Sequence, residues 1–116
     1  MATIVATNMQ GAGKHATTKT TLTGTLDTFV YRQGISQILI LNNATAGALT
    51  PVIDGASGTT VPVKGIGNVD VTGGYAVGSI AAGTSVAIAT DTIYEYLSGI
   101  IAITGGTGLV AELLEF

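Results

Sequence analysis

Four apolar residues in a row, Ile38-Leu39-Ile40-Leu41, stand inside the segment ISQILILNN (35–43), which the turn cluster NNATAG ends. An unbroken run of this kind reads as a strand covered on both faces, so it belongs at the centre of a sheet. ATIVAT (2–7) is a short apolar strand, and TKTTLTG (18–24) alternates weakly until Gly24. In TLDTFVYRQG, Leu26, Thr28, Val30 and Arg32 fall on one face, with Phe29 and Tyr31 on the other. ALTPVIDG (48–55) and TTVPVKGIG carry Pro51 and Pro62. Proline cannot donate to a ladder, which demotes both segments to edges or bulges. NVDVT (68–72) alternates valine with Asp70; Tyr75, Val77 and Ile80 are expected to pack inward; TSVAIAT (84–90) sets Val86 and Ile88 on one face.

The period then changes. In DTIYEYLSG, Ile93 and Leu97 stand four apart, Asp91 is placed to cap and Gly99 to stop the element. That spacing predicts one or two helical turns. IIAITGG and GLVAELLEF follow as two strands expected to pair with each other across GGTG. Short strands with regular turn signals predict an all-β protein. The expected architecture is a two-sheet β-sandwich, jelly-roll-like, with one short helix near residues 91–98. No long-period repeat suggests a solenoid.

A length of 116 residues bounds this to one domain. Residues 1–19 read as an N-terminal strand or arm and residues 20–116 as the sandwich. Charged residues make up 9% of the chain, far below the usual quarter. The surface must then be covered by threonine, serine, asparagine, glycine and apolar atoms, and the 19 threonines and 17 glycines suit pleated strands and turns. So little charge opposes association weakly, which favours a chain packed against copies of itself, as a dimer or trimer, or against a partner.

There is no cysteine, hence no disulfide or thiolate chemistry. The opening MATIVATNMQGAGKH lacks the pattern of a secretory signal. The stretch Val71–Thr90 is too rich in glycine, threonine and small residues for a spanning helix, so no membrane partner is expected. The net charge of −3 is uneven. Residues 1–32 hold Lys14, Lys19 and Arg32 against Asp27, a balance of +2; residues 33–116 hold Lys64 against six acids, a balance of −5. No basic patch interleaved with aromatics points to nucleic acid.

GAGKH (11–15) holds the only histidine, His15, beside Lys14. A phosphate loop needs G-x-x-x-x-G-K-[ST] between a strand and a helix. Here Asn8 replaces the first glycine, His15 replaces the hydroxyl residue, and the threonine-rich sequel is a poor helix. A mobile hinge is the better reading. DGASG, with Asp54 its only charged oxygen ligand, is a turn and not a calcium loop. Asp91 and Glu95, and Glu112 and Glu115, read as surface carboxylates, the latter two on opposite faces of a strand. Ser36, Ser57, Ser79, Ser85 and Ser98 lack a nucleophile motif, and NAT at 43–45 is a glycosylation sequon without a secretory context. No catalytic residue, metal site or cofactor is therefore expected.

LTGTLDTFVY, QILILNNATAGALTPVIDGASGTTVPVKGIGNVDV and TIYEYLSGIIAITGGTGLVAELLEF together resemble the small accessory structural proteins of tailed bacteriophage virions. The resemblance lies in style and segment order over nearly the whole chain, with no diagnostic motif, so it carries no site residues. It implies a non-enzymatic, homo-oligomeric protein of the virion, made in the bacterial host cytoplasm, whose partners are the major capsid protein or other virion proteins. A decoration (cement) protein on the outside of the head is the first expectation. A head–tail connector, neck or tail protein, or a carbohydrate-binding β-module of a phage fibre or cell surface, is the alternative. The segment best suited to reach a neighbour is the N-terminal arm, with Ile4 and Val5 to add a strand to a sheet edge and Lys14, His15 and Lys19 to dock. The C-terminal LLEF, ending in apolar Phe116, is the other candidate.

Overall fold

A computed structural model describes residues 2–32, 35–55, 60–63, 65–70, 73–97 and 101–116. The strands are β1 (Ala6–Asn8), β2 (Thr20–Thr21), β3 (Asp27–Phe29), β4 (Gln37–Asn43), β5 (Val52–Gly55), β6 (Thr60–Val63), β7 (Gly67–Asp70), β8 (Tyr75–Ala76), β9 (Ser85–Ala89), β10 (Ile101–Thr104) and β11 (Leu109–Glu115). β4 is central, as its apolar run requires: it lies between β11 and β9, and β1 and β2 share the far side of β11. The second sheet runs β3-β10-β5-β8, and β6 and β7 form a separate hairpin.

Setting β1 and that hairpin aside leaves eight strands. Numbered in chain order, β2-β11-β4-β9 becomes 1-8-3-6 and β3-β10-β5-β8 becomes 2-7-4-5. This is the jelly-roll arrangement of two interlocked Greek keys. The core lies where the inner faces meet. Leu39 and Leu41 of β4, Leu113 of β11 and Ile88 of β9 face it from one sheet; Ile53, Ile101, Ile103 and Phe29 face it from the other. Alternation in β11 explains its role, since Leu109, Ala111 and Leu113 are buried while Val110, Glu112 and Leu114 are only partly so. Full burial of each large aliphatic contributes about 1.5–3 kcal/mol.

Four expectations need correction. β10 and β11 do not form a hairpin; β10 pairs with β3 and β5, and β11 with β4, β2 and β1. Gly105 and Gly108, at φ of +76° and +91°, turn the chain from one sheet to the other. Two strands with one apolar face each bury more by facing across a core than by lying side by side. β5 is interior, between β10 and β8. Pro51 precedes its first residue, so the missing N–H falls outside the ladder, and the Pro51 carbonyl accepts from Val77 N–H at 3.1 Å. Pro62 lies in β6, which among the described residues pairs with β7 alone.

The short helix is a 3₁₀ segment over Thr90–Tyr96, broken at Ile93 (φ −122°, ψ 24°). Ile93 and Leu97 still turn inward at 6% and 7% exposure, so spacing found the buried pair but not the helix type. Asp91 lies in the first turn of the segment and accepts from the Tyr31 hydroxyl at 2.7 Å. Gly99 lies outside the described residues. Finally, β4 is covered on one face only: Ile38 and Ile40 remain partly exposed while Leu39 and Leu41 are sealed.

Candidate functional site

The N-terminal arm, residues 1–19, was expected to reach outward, and its first part is stitched into the body. Ala2 and Ile4 run parallel to β3, with Ile4 N–H donating to Thr28 O (2.8 Å) and Thr28 N–H to Ala2 O (2.9 Å). Ile4 is 3% exposed and belongs to the core. The chain then crosses to the other sheet, where β1 pairs in parallel with β11 through Ala6–Leu113, Thr7–Leu114 and Asn8–Glu115. One strap thus covers an edge of each sheet, which removes the open ladder that edge strands otherwise present. Val5, between the two pairings, is exposed.

Asp27 anchors this strap. It is fully buried and accepts from Ala2 N–H (3.0 Å), Thr23 N–H (3.1 Å), the Thr23 hydroxyl (2.8 Å) and Gly24 N–H (2.9 Å). Burial alone would raise its pKa; the bonds from the Thr23 hydroxyl, Thr23 N–H, Gly24 N–H and Ala2 N–H outweigh it and hold the carboxyl below its ordinary value. Only glycine fits at 24. Its φ is +87°, and a Cβ there would collide with Thr107 Oγ1.

Beyond Met9, whose N–H donates to Glu115 O (2.7 Å), the chain makes an exposed excursion and returns to β2, which pairs antiparallel with β11. Gly11 and Gly13 take φ of +112° and +87°. Lys14 and Lys19 are exposed, and His15, partly exposed, approaches Gly11 O through Nε2 at 3.4 Å. Of the five residues assigned to docking, the structure places Lys14, His15 and Lys19 in this one excursion, Val5 on the strap surface and Ile4 inside.

At the base of the excursion, Glu115 is 8% exposed, accepts from Gln37 Nε2 (3.1 Å) and pairs with Arg32 Nη1 (3.3 Å). Gln37, buried in turn, donates to Val30 O (2.9 Å) and accepts from the Thr90 hydroxyl (3.0 Å). Arg32 and Glu115 line a pocket of about 130 Å³ with Asn8, Gln10, Ile35 and Phe116. Phe116 is 46% exposed, with its N–H bonded to Ser36 O. Sequence reasoning missed Asp27, Gln37 and Thr90 as organisers. A buried acceptor has no one-dimensional signature, although Thr23 four residues before Asp27 is a turn pattern.

The remaining candidates are structural. Asn43 of the sequon is fully buried; its amide donates to Gly47 O and Ile80 O (both 2.8 Å) and its oxygen accepts from Thr45. Tyr75 and Tyr96 meet with ring centroids 5.7 Å apart and tilted by 56°, packed against the core. Ser85 bonds Asn42; Ser57 and Ser98 lie outside the described residues, as does Lys64. Among the described residues, no three His, Asp or Glu side chains converge as metal ligands, and no helix is long and apolar enough to cross a membrane. Neither a family model, nor a curated protein, nor a solved structure matches the chain.

Proposed function

We propose that this chain is a non-enzymatic virion structural protein that binds the outside of an assembled phage capsid as a decoration protein and stabilises it. The observation that carries the reading is the jelly-roll strand order, 1-8-3-6 against 2-7-4-5, an architecture used by viral capsid domains, in a body of low charge. The link from fold to role is one of analogy. Physically, a protein that binds the closed shell and not its separated subunits stabilises the shell by mass action. The excursion 10–19 is the docking element of this reading. It carries Lys14 and His15 and ends at Lys19 beside β2, on a base fixed at both ends to β11, so exposed cations are offered without the cost of ordering a whole arm.

Because Ile4 is core and β1 is a ladder strand, removing residues 1–15 would injure the fold as well as docking. Lys14→Ala with Lys19→Ala is the cleaner change and should weaken capsid binding while leaving stability intact. The deciding measurement is copy number, by quantitative mass spectrometry of purified particles from the source. Hundreds of copies per particle support head decoration. About a dozen or fewer support a neck or tail position, and complete absence from particles overturns the virion reading.

A further inference from the structure

We propose that the strap, residues 2–8, is exchangeable: the groove it fills on its own body is also a docking site for the same segment of a second copy of this chain. The groove has two stations, the β3 edge at Thr28 and the β11 edge at Leu113–Glu115. Ile4 is the one strap residue sealed in the core, while Thr3, Val5 and Asn8 are exposed. The strap's main-chain groups pair with residues 27–28 and 113–115, all of them in the body. A strap arriving from another copy would meet the same donors, the same acceptors and the same hole for Ile4. Groove and occupant therefore match whichever chain supplies the occupant, which makes exchange of an identical element a low-cost route to association.

The tether permits the exchange. From Gln10 to Lys19 every residue except His15 is exposed. Among the described residues, the hydrogen bonds that leave this stretch go to the strap and not to the body: Gln10 N–H to Asn8 Oδ1 (2.9 Å) and Thr18 N–H to Thr7 Oγ1 (3.4 Å). A Cβ at Gly13 would meet nothing and one at Gly11 only the His15 ring, so the turn back is made by glycine backbone and not by packing. Ten extended residues span about 33 Å. The whole chain measures 41 × 37 × 23 Å, so that length carries the strap to an adjoining body. Within one molecule the tether holds the strap near its own groove at an effective concentration in the millimolar range. Self-filling wins in dilute solution, and exchange grows as copies crowd. It needs no capsid and so does not rest on the virion reading.

The chain has no cysteine, so introduced thiols report the exchange without background from native ones. Two full-length variants, Thr3→Cys and Thr28→Cys, are mixed at about 500 μM, approaching that effective concentration, in a mildly oxidising buffer. Thr3 and Thr28 are bridge partners, and neighbouring strands lie within disulfide reach. A mixture of Val5→Cys with Thr28→Cys gives the collisional rate. The Thr3→Cys mixture should cross-link between chains at least about ten-fold faster than that. Adding Ile4→Asn to the Thr3→Cys chain, which unseats its strap, should return the rate to the collisional one. Thr7→Cys mixed with Leu114→Cys repeats the test at the β11 station, so that unsuitable thiol geometry at one pair does not decide the result. Cross-linking at the collisional rate for both pairs, or cross-linking that Ile4→Asn leaves unchanged, would overturn the proposal.

Discussion

The main-chain N–H of Ala2 donates to Asp27 Oδ1 at 3.0 Å, so one buried carboxylate joins the start of the strap to the turn that precedes β3. Three further donors, from Thr23 and Gly24, complete its shell. Asp27→Ala should lower stability by about 2–4 kcal/mol, because it strands several buried donors at once. Urea denaturation at neutral pH measures this.

The same carboxyl sets an acid dependence. Its folded pKa lies below the ordinary 3.8, so its contribution is complete above that value and is lost as pH falls through the lower folded value. Urea midpoints taken from about pH 6 to about pH 2 should drop at the acid end in the wild type. Asp27→Asn should be weaker at neutral pH and show a shallower acid drop.

Gln37 links Val30, Thr90 and Glu115 in a buried polar chain. Gln37→Leu, close in volume, removes a donor from the Glu115 carboxylate and from Val30 O, while the Thr90 hydroxyl keeps the residue-37 carbonyl at 3.2 Å, and should cost about 1–3 kcal/mol. Arg32→Ala should cost under about 1 kcal/mol, since its side chain is 62% exposed. Thermal melts of both variants separate the two contributions.

Gly24→Ala should destabilise by at least about 2 kcal/mol through its left-handed φ and the collision with Thr107. Gly13→Ala is the comparison. It has a similar φ but open space around it, so it should carry the backbone strain alone and melt higher than Gly24→Ala.

The fold class was legible because the unbroken apolar run of β4, the alternation of β9 and the regular turn signals are strong and local. Val86 and Ile88 fall on one face, as their spacing predicts. Pairing was not legible. The segment GGTG has the composition of a hairpin turn, yet the chain changes sheets there, and only the sum of burial on two inner faces decides between these. Pro51 misled for a related reason, since a proline one residue before a strand costs nothing while one inside it costs a bond. Lys14, His15 and Lys19 were legible as residues of one loop, since they lie within six positions of one another. Ile4 was not legible as core, because a short apolar strand reads identically whether it covers its own sheet or a neighbour's.

β11 has β4 on one side and β1 with β2 on the other, so Ala6 and Leu113 are ladder partners across nearly the whole chain. Contacts of that span are the slowest to form. During synthesis on the ribosome, β4 has only β9 beside it until residues 109–115 emerge, and the strap has no second sheet to cross to. The nascent polypeptide must therefore hold its apolar strands open until this stretch is released. A product cut short before Leu109 would not be a smaller version of the domain but a chain without its keystone, and a substrate for proteases and aggregation.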